Sequence, residues 1–262
     1  MIIRETDMLP EKRRRTIVDL VNERGGCSVS ELAEELDYSK PTIRRDLTTL
    51  EQEGLIDRSH GGAVPVDKVG AEQSYRQREI RNLESKQAIA DRAIEEVLED
   101  EIAFFDGGTT TMQIAKRMPE DRSYVAVTNS PLLADELVTT ADEVKLTGGT
   151  LRGKTRALVG PTAEQFMHRT NFDLVFLGTN GIAPDAGLST PSEDEAEIKS
   201  LMVENAKRVI LVSDASKFGQ RSFAQFAELA DVDLLITDED PPASLRSELD
   251  GADVSTIVTR HP

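Results

Sequence analysis

The stretch SKPTIRRDLTTLEQEGLIDRSHGGA, residues 39–63, decides the architecture of the N-terminal part of this chain. Ile43, Leu47 and Leu50 recur at i, i+4 and i+7, which puts them on one face of a helix. Arg44 and Arg45 point away from that stripe. Gly54 sits where a helix needs a left-handed stop. Leu55 and Ile56 then start a strand, and Gly61-Gly62 bends it back. A basic helix face beside a glycine-turned ribbon is the layout of a winged helix-turn-helix that reads DNA.

The residues before this stretch complete the motif. Glu11 to Arg24 is amphipathic, with Ile17, Leu20 and Val21 on one face, and Gly25-Gly26 ends it. Ser28-Val29-Ser30-Glu31 fits a reciprocal capping box. Leu32, Ala33 and Leu36 form the buried face of a second helix, and Asp37-Tyr38 turns the chain. Ser39 is the expected N-cap of the recognition helix, and Pro41 is tolerable in its first turn, where an N–H has no partner to lose. Groove and phosphate contacts are expected from Thr42, Arg44, Arg45 and Thr48, with Ser39, Lys40, Arg58 and His60 around them. Arg45 or Asp46 could instead form a structural salt bridge.

The string TIRRDLTTLEQEGLIDRSHGGA closely resembles the DNA-binding signature of the DeoR family of transcriptional regulators. Thr-Ile-Arg-Arg-Asp-Leu and the closing His-Gly-Gly-Ala are its most specific parts. Lys40-Pro41 departs from the small or acidic residues expected there and would tune operator choice. The resemblance runs through about nine-tenths of the chain.

Composition bounds the rest. The chain has 262 residues and a net charge of −17, with one cysteine, Cys27, so neither an intrachain disulfide nor a multi-thiolate metal site is available. His60, His168 and His261 are too scattered to suggest a metal site, and no cofactor is implied. No apolar run approaches the ~20 residues of a membrane span, nothing at the N-terminus reads as a signal peptide, and a cytoplasmic location is expected. The charge is uneven: residues 1–66 carry a net of −3 and the remainder a net of −14. The basic residues of the first part cluster at Lys12 to Arg15, at Arg44 and Arg45, and at Arg58, so the local field can be positive while the total is negative. Arginine outnumbers lysine, 21 to 10, and tryptophan is absent. This composition resembles that of proteins from salt-accumulating archaea; the alternative is a moderately acidic mesophilic regulator.

Three regions follow from the pattern: a winged helix-turn-helix over residues 8–66, a connector over 67–84 and a larger α/β domain over 85–262. Ala71 to Glu99 reads mostly as helix with an interruption near Asn82 to Ser85, either a transmitting connector or an ordinary packed helix. Beyond it, apolar strands alternate with polar turns and helices. Ile102–Phe105, Tyr124–Val127, Val144–Leu146, Leu174–Leu177, Val209–Val212 and Leu234–Ile236 each end in a polar cluster. Such alternation implies a largely parallel sheet with helices on both faces, and ligands bind such sheets outside the carboxyl ends of their strands. The loop Asp106 to Thr111 is the strongest of these ends. Its glycines let backbone N–H groups converge on an anion, a helix near Met112 to Met118 follows, and Thr109 and Thr110 add hydroxyls. It is neither a Walker A motif nor a dinucleotide fingerprint, so a single phosphate is its natural ligand; a tight capped turn is the plain alternative. Lys217 supplies a point charge, and Asp214 and Asn129 could hold sugar hydroxyls. Arg152, Lys154 and Arg156 form a basic loop, part of the pocket or solvated. Asp173 reads as structural.

These strand ends resemble the DeoR-family sensor domain. The matching residues include Gly108-Thr109-Thr110, Thr128-Asn129-Ser130, Gly148-Gly149, Gly160-Pro161, Phe172 to Gly178, Asp214 to Gly219 and Ile236-Thr237-Asp238, with Gly107 standing where serine is common. The resemblance implies a fold similar to ribose-5-phosphate isomerases and CoA transferases. It implies a repressor of sugar catabolism genes (glucose, fructose or glycerol, as in haloarchaeal members). Such a repressor would be a homodimer or homotetramer, released from double-stranded operator DNA by a phosphorylated sugar, and not an enzyme. The implied effector-binding residues are Asp106, Gly108, Thr109, Thr110, Asn129, Gly148, Gly149, Asp214 and Lys217. A sugar-phosphate isomerase with a fused DNA-binding module is the competing reading, with Asp214 and Lys217 as acid–base candidates. It lacks a second carboxylate constellation and leaves the winged helix unexplained. An architectural DNA binder conflicts with the acidic second domain.

Overall fold

The computed structural model describes residues 9–59, 61–64 and 72–259. The chain divides into two compact units, Met1–Asn82 and Leu83–Pro262.

The first unit contains α1 (Pro10–Glu23), β1 (Cys27–Ser28), α2 (Val29–Glu35), α3 (Lys40–Gln52), β2 (Asp57–Ser59), β3 (Gly62–Val64) and α4 (Tyr75–Ile80). Both expected caps form. Ser28 and Glu31 make the reciprocal box at the head of α2, and Ser39 accepts the Thr42 N–H at the head of α3. Ile17, Val21, Leu32, Ile43, Leu47 and Leu50 meet in one core. Gly54 adopts the left-handed φ of 68° that ends α3. The strand then begins later than the sequence reading placed it. Leu55 and Ile56 are buried plugs of the core, and pairing starts only at Asp57. The wing is a three-stranded sheet in the order β1-β3-β2. Gly62 is required in it, because a Cβ there would stand 2.2 Å from the Cys27 carbonyl oxygen. Ile80 of α4 packs against this same core.

The interruption expected near Asn82 to Ser85 is present: α4 ends at Ile80 and the next helix begins at Leu83. The break falls at Asn82, whose φ is 49°, which is also where the two units divide. The connector reading over 67–84 lies partly outside the described residues.

The second unit contains α5 (Leu83–Ala93), β4 (Glu101–Phe105), α6 (Thr109–Ala115), β5 (Tyr124–Thr128), α7 (Pro131–Leu137), β6 (Glu143–Leu146) and the short hairpin β7 (Thr150–Leu151) and β8 (Leu158–Val159). It continues with α8 (Pro161–Met167), β9 (Leu174–Leu177), β10 (Gly181–Ala183), β11 (Gly187–Thr190) and α9 (Glu193–Glu204). It closes with β12 (Val209–Val212), β13 (Ala224–Ala227), β14 (Leu234–Thr237), α10 (Ala243–Gly251) and β15 (Ser255–Val258). All six strands read from the sequence belong to one seven-stranded sheet in the order β15-β14-β12-β9-β4-β5-β6, and every pairing in it is parallel.

Alternation along the strands divides their side chains between two cores. Ala103, Phe105, Leu174, Phe176, Ile210 and Val212 face α5, α6 and α7. Phe104, Val175, Leu177 and Leu211 face α8, α9 and α10. Both faces are therefore apolar, which is why these strands read as continuous hydrophobic runs. The sequence reading did not include β15 or the antiparallel sheet β10-β11-β13.

Strand order reverses direction between β4 and β9. From β4 the chain runs outward through β5 and β6, then returns to the other side of β4 and runs outward through β9, β12, β14 and β15. The crevice at such a reversal, outside the carboxyl ends of the strands, is where open parallel sheets take ligands.

Candidate functional site

The recognition helix presents one polar face. Ser39, Lys40, Arg44, Arg45 and Thr48 are exposed, and Thr42 and Arg58 are half-buried. Some of these groups are already engaged. The Ser39 and Thr42 hydroxyls lie 2.8 Å apart at the N-cap, and the Thr48 hydroxyl donates to the Arg44 carbonyl at 2.9 Å. Lys40, Arg44 and Arg45 remain as the cations of the outer face. Asp46 takes the structural role. Its carboxylate receives Arg13 Nε at 2.6 Å and Nη2 at 3.2 Å, and both residues are buried. The Arg13 guanidinium also lies 4.5 Å from the centre of the Tyr38 ring. The hydrogen bond to Asp46 holds Arg13 above the ordinary guanidinium range against the opposing effect of burial. Arg13 therefore leaves the basic cluster that the sequence placed at Lys12 to Arg15 and becomes a clamp between α1 and α3. His60 lies outside the described residues.

The second site is at the sheet reversal. Asp106 follows β4 and Gly178 follows β9, so the two flank the crevice. Asp106 does not project a bare carboxylate. Its Oδ2 accepts the Gly178 N–H at 2.9 Å and pairs with Lys199 Nζ. Lys199 also donates to the Gly178 carbonyl at 2.9 Å. Both charged residues are buried.

The glycine loop is braced from neighbouring strands. Asn129 Oδ1, at the end of β5, accepts the Gly107 N–H at 2.7 Å. The Thr111 hydroxyl donates to the Asp106 carbonyl at 2.5 Å and lies 3.0 Å from the Gly108 nitrogen, whose N–H it accepts. Helix α6 starts at Thr109, three residues earlier than the sequence placed it, so all three threonines lie in its first turn and are buried. Ser130 Oγ is buried and has no hydrogen-bond partner among the described residues.

Gly148 and Gly149 form the turn from β6 into β7. A Cβ on Gly149 would meet the Val159 carbonyl oxygen at 2.5 Å, so the turn is packed against β8. Asp214 follows β12 and accepts the Ser216 N–H at 3.1 Å. The Asp238 carboxylate accepts the Ala215 N–H at 2.7 Å, and these bonds shape the turn that carries Lys217. Thus Asp106, Gly108, Thr109, Thr110 and Asn129 converge, while Gly148-Gly149 and Asp214 with Lys217 lie on opposite flanks. Strands β6 and β12 are four spacings apart, roughly 19 Å at the usual interstrand distance. Asp173 is structural, as read: it accepts the Ile102 N–H at 3.0 Å and pairs with Lys207 at 2.7 Å.

The sequence reading missed the α9 contribution. Lys199 and Glu195 stand one turn apart, on the side of α9 that also buries Ile198 and Met202. Glu195 binds Arg152 of the β7–β8 hairpin at 2.6 Å. Burial pushes the Glu195 carboxyl up, but the Thr155 hydroxyl, Lys199 and Arg152 outweigh it and hold the carboxyl below its usual range. The readable signal was a Glu and a Lys at i, i+4 on the apolar side of a helix, where unpaired charges do not stay. No group of His, Cys, Asp and Glu suited to a metal ion occurs among the described residues. None of their helices is long and apolar enough to cross a membrane.

A DNA-reading winged helix followed by a parallel-sheet unit with a polar crevice defines a class of regulatory protein. The comparisons with known proteins agree. Residues 13–69 match the DeoR-like helix-turn-helix domain and residues 81–239 the DeoR C-terminal sensor domain. The chain is 59% identical to the HTH-type transcriptional regulator GlpR of Haloferax volcanii, over 95% of this chain and 98% of that one. It is 32% identical to the HTH-type transcriptional repressor CsqR of Escherichia coli, over 97% of each. Among solved structures, a D-ribose-5-phosphate isomerase in complex with phospho-erythronic acid aligns with a TM-score of 0.39 and 16% identity, over 52% of this chain and 54% of that one. The chain belongs to the DeoR family of DNA-binding transcriptional regulators.

Proposed function

We propose that this regulator is a repressor of sugar catabolism genes, not an enzyme, and that a phosphorylated sugar bound in the second unit lowers its operator affinity. The observation that carries this reading is the braced glycine loop at the sheet reversal, where the Asp106 carbonyl, Asn129 and Thr111 hold Gly107 and Gly108 in place. A loop held by its own polar neighbours is preorganised, so binding an anion there costs little ordering. Gly108, Thr109 and Thr110 receive the phosphate. Asn129 lies beside the sugar, and of the two flanks, roughly 19 Å apart, one sugar phosphate reaches either Gly148-Gly149 or Asp214 with Lys217. Asp106 shapes the loop. In the first unit Lys40, Arg44, Arg45, Thr48 and Arg58 read and grip the operator, with Ser39 and Thr42 beside them. Relatives named as transcriptional regulator and repressor support the same direction.

Release requires that the ester bind two conformations with different affinity, transmitted through the connector over 67–84. A homodimer or homotetramer matches a palindromic or repeated operator. The test is operator binding at high salt, using the promoter of the protein's own operon. It is titrated with glycerol 3-phosphate, fructose 1-phosphate, fructose 6-phosphate, glucose 6-phosphate and inorganic phosphate. Release by one ester at micromolar to millimolar concentration supports the reading, and sequence-specific binding that no ester alters refutes the effector half of it.

A further inference from the structure

The crevice between β4 and β9 is already filled. Asp106 and Lys199 occupy it as a buried pair, and the β7–β8 hairpin closes over the glycine loop beside it. Ala157 of that hairpin stands 3.4 Å from where a Gly107 Cβ would lie, and the Leu158 N–H donates to the Asn129 carbonyl at 2.6 Å. The Arg152 N–H in turn donates to the Ala157 carbonyl at 2.9 Å, so Arg152 belongs to the same cover. Arg152 and Lys199 are balanced by Glu195 and Asp106. Among these four groups the charges cancel, so a dianionic ligand gains a cation from them only by drawing one away from its carboxylate.

The two cations are not equally available. Lys199 is spent on Asp106 and the Gly178 carbonyl and is buried. The Arg152 side chain keeps 25% of its surface exposed, while its partner Glu195 keeps 9%. Arginine also offers the planar fork that matches a phosphate. On the loop side, the buried Ser130 hydroxyl lacks a partner among the described residues, and its Cβ lies 3.3 Å from where a Gly107 Cβ would stand. A phosphate oxygen arriving there would meet an unused hydroxyl.

We infer that Arg152 is a phosphate-binding residue of the effector site and that Glu195 is its resident counter-ion, so that a phosphate monoester binds by displacing the Glu195 carboxylate from Arg152. This rests on the effector reading above. Exchange breaks the Arg152–Glu195 tie between the hairpin and α9, with the Thr155 hydroxyl remaining as the hairpin's own contact to Glu195, and it leaves Lys199 to hold Asp106 and the crevice floor. Glu195 thereby competes with the effector and sets its working concentration.

The full-length protein and the variants R152Q, R152K and E195Q are titrated on operator DNA with the ester that releases the wild type, and with inorganic phosphate. Circular dichroism checks that each is folded. R152Q is expected to raise the half-release concentration at least tenfold, and R152K by less. E195Q is expected to lower it at least threefold. A wild-type response in R152Q overturns the assignment of Arg152. A loss in E195Q as large as in R152Q overturns the exchange, because Glu195 would then be a ligand contact. If R152Q does not fold, the direction of the E195Q shift decides. Release by inorganic phosphate at the ester's concentration supports the exchange but overturns a sugar ester as the effector. A wild type that answers to nothing overturns the effector reading and this inference together, whereas a responsive wild type with unchanged variants overturns the inference alone.

Discussion

Asp46 stands in the middle of the recognition helix but does not face DNA. Breaking its bond would strand the Arg13 guanidinium in a buried site, and removal of one partner from a buried pair costs about 3–5 kcal/mol. Asp46→Ala is therefore expected to lower stability by an amount of that order, read as a shift in the denaturant midpoint of the first unit's transition. Arg44→Ala should do the reverse. Its side chain is exposed, so stability should hold while operator affinity falls by at least ~1 kcal/mol at matched salt. An anisotropy titration that shows unchanged affinity would count against the groove role of Arg44. The sequence offered Arg45 or Asp46 for a structural salt bridge, and periodicity could go no further. The partner lies 33 residues away, and only the packing of α1 on α3 brings it near. Lys199 illustrates the same limit. It follows Asp106 by 93 residues, so no local pattern links the two.

Elements were most legible where periodicity is strong and least where a segment is short. Six of the seven parallel strands were readable as runs ending in polar clusters, most plainly the central β4, β9, β12 and β14, where burial on both faces leaves little polar alternation to confuse them. The β7–β8 hairpin was not, since two residues per strand carry no period. Its basic residues could be read as pocket or as solvated loop, and Arg152 proves to be tied to α9. That tie has a pH signature. The folded-state value of Glu195 lies below its unfolded value. Its contribution to stability is thus fully present above the unfolded value and is lost as pH falls through the lower folded one. The stability gap between wild type and Glu195→Gln should be widest above the ordinary carboxylate range and should close on acidification below it. Thermal unfolding of both proteins across that range measures it. A gap that stays constant would mean that the Glu195 charge plays no part in holding the hairpin.

For the whole molecule, the net charge of −17 poses the largest problem, because self-repulsion opposes the compact state while any DNA partner is also an anion. The uneven division eases the second part, since the first unit holds little of the excess and groups its cations on the recognition helix and around it. The first part is eased only by solvent ions. The Debye length falls from about 10 Å at 0.1 M salt to 3 Å at 1 M, so repulsion among surface carboxylates weakens sharply over that interval. The same ions reduce the gain from counterion release on binding DNA, and base-edge contacts from residues such as Arg44 must then carry more of the operator affinity. Folding and operator recognition should therefore respond differently to salt. The unfolding temperature is expected to climb steadily from 0.1 M to 2 M potassium chloride. Specific operator binding should persist at 2 M, while binding to unrelated DNA disappears. Circular dichroism melts and competition binding at the two salts test both expectations. A chain fully folded and equally stable at 0.1 M would argue against adaptation of this surface to molar salt. Specific binding that vanishes with the non-specific component would show that phosphate contacts, rather than the recognition helix, supply the affinity.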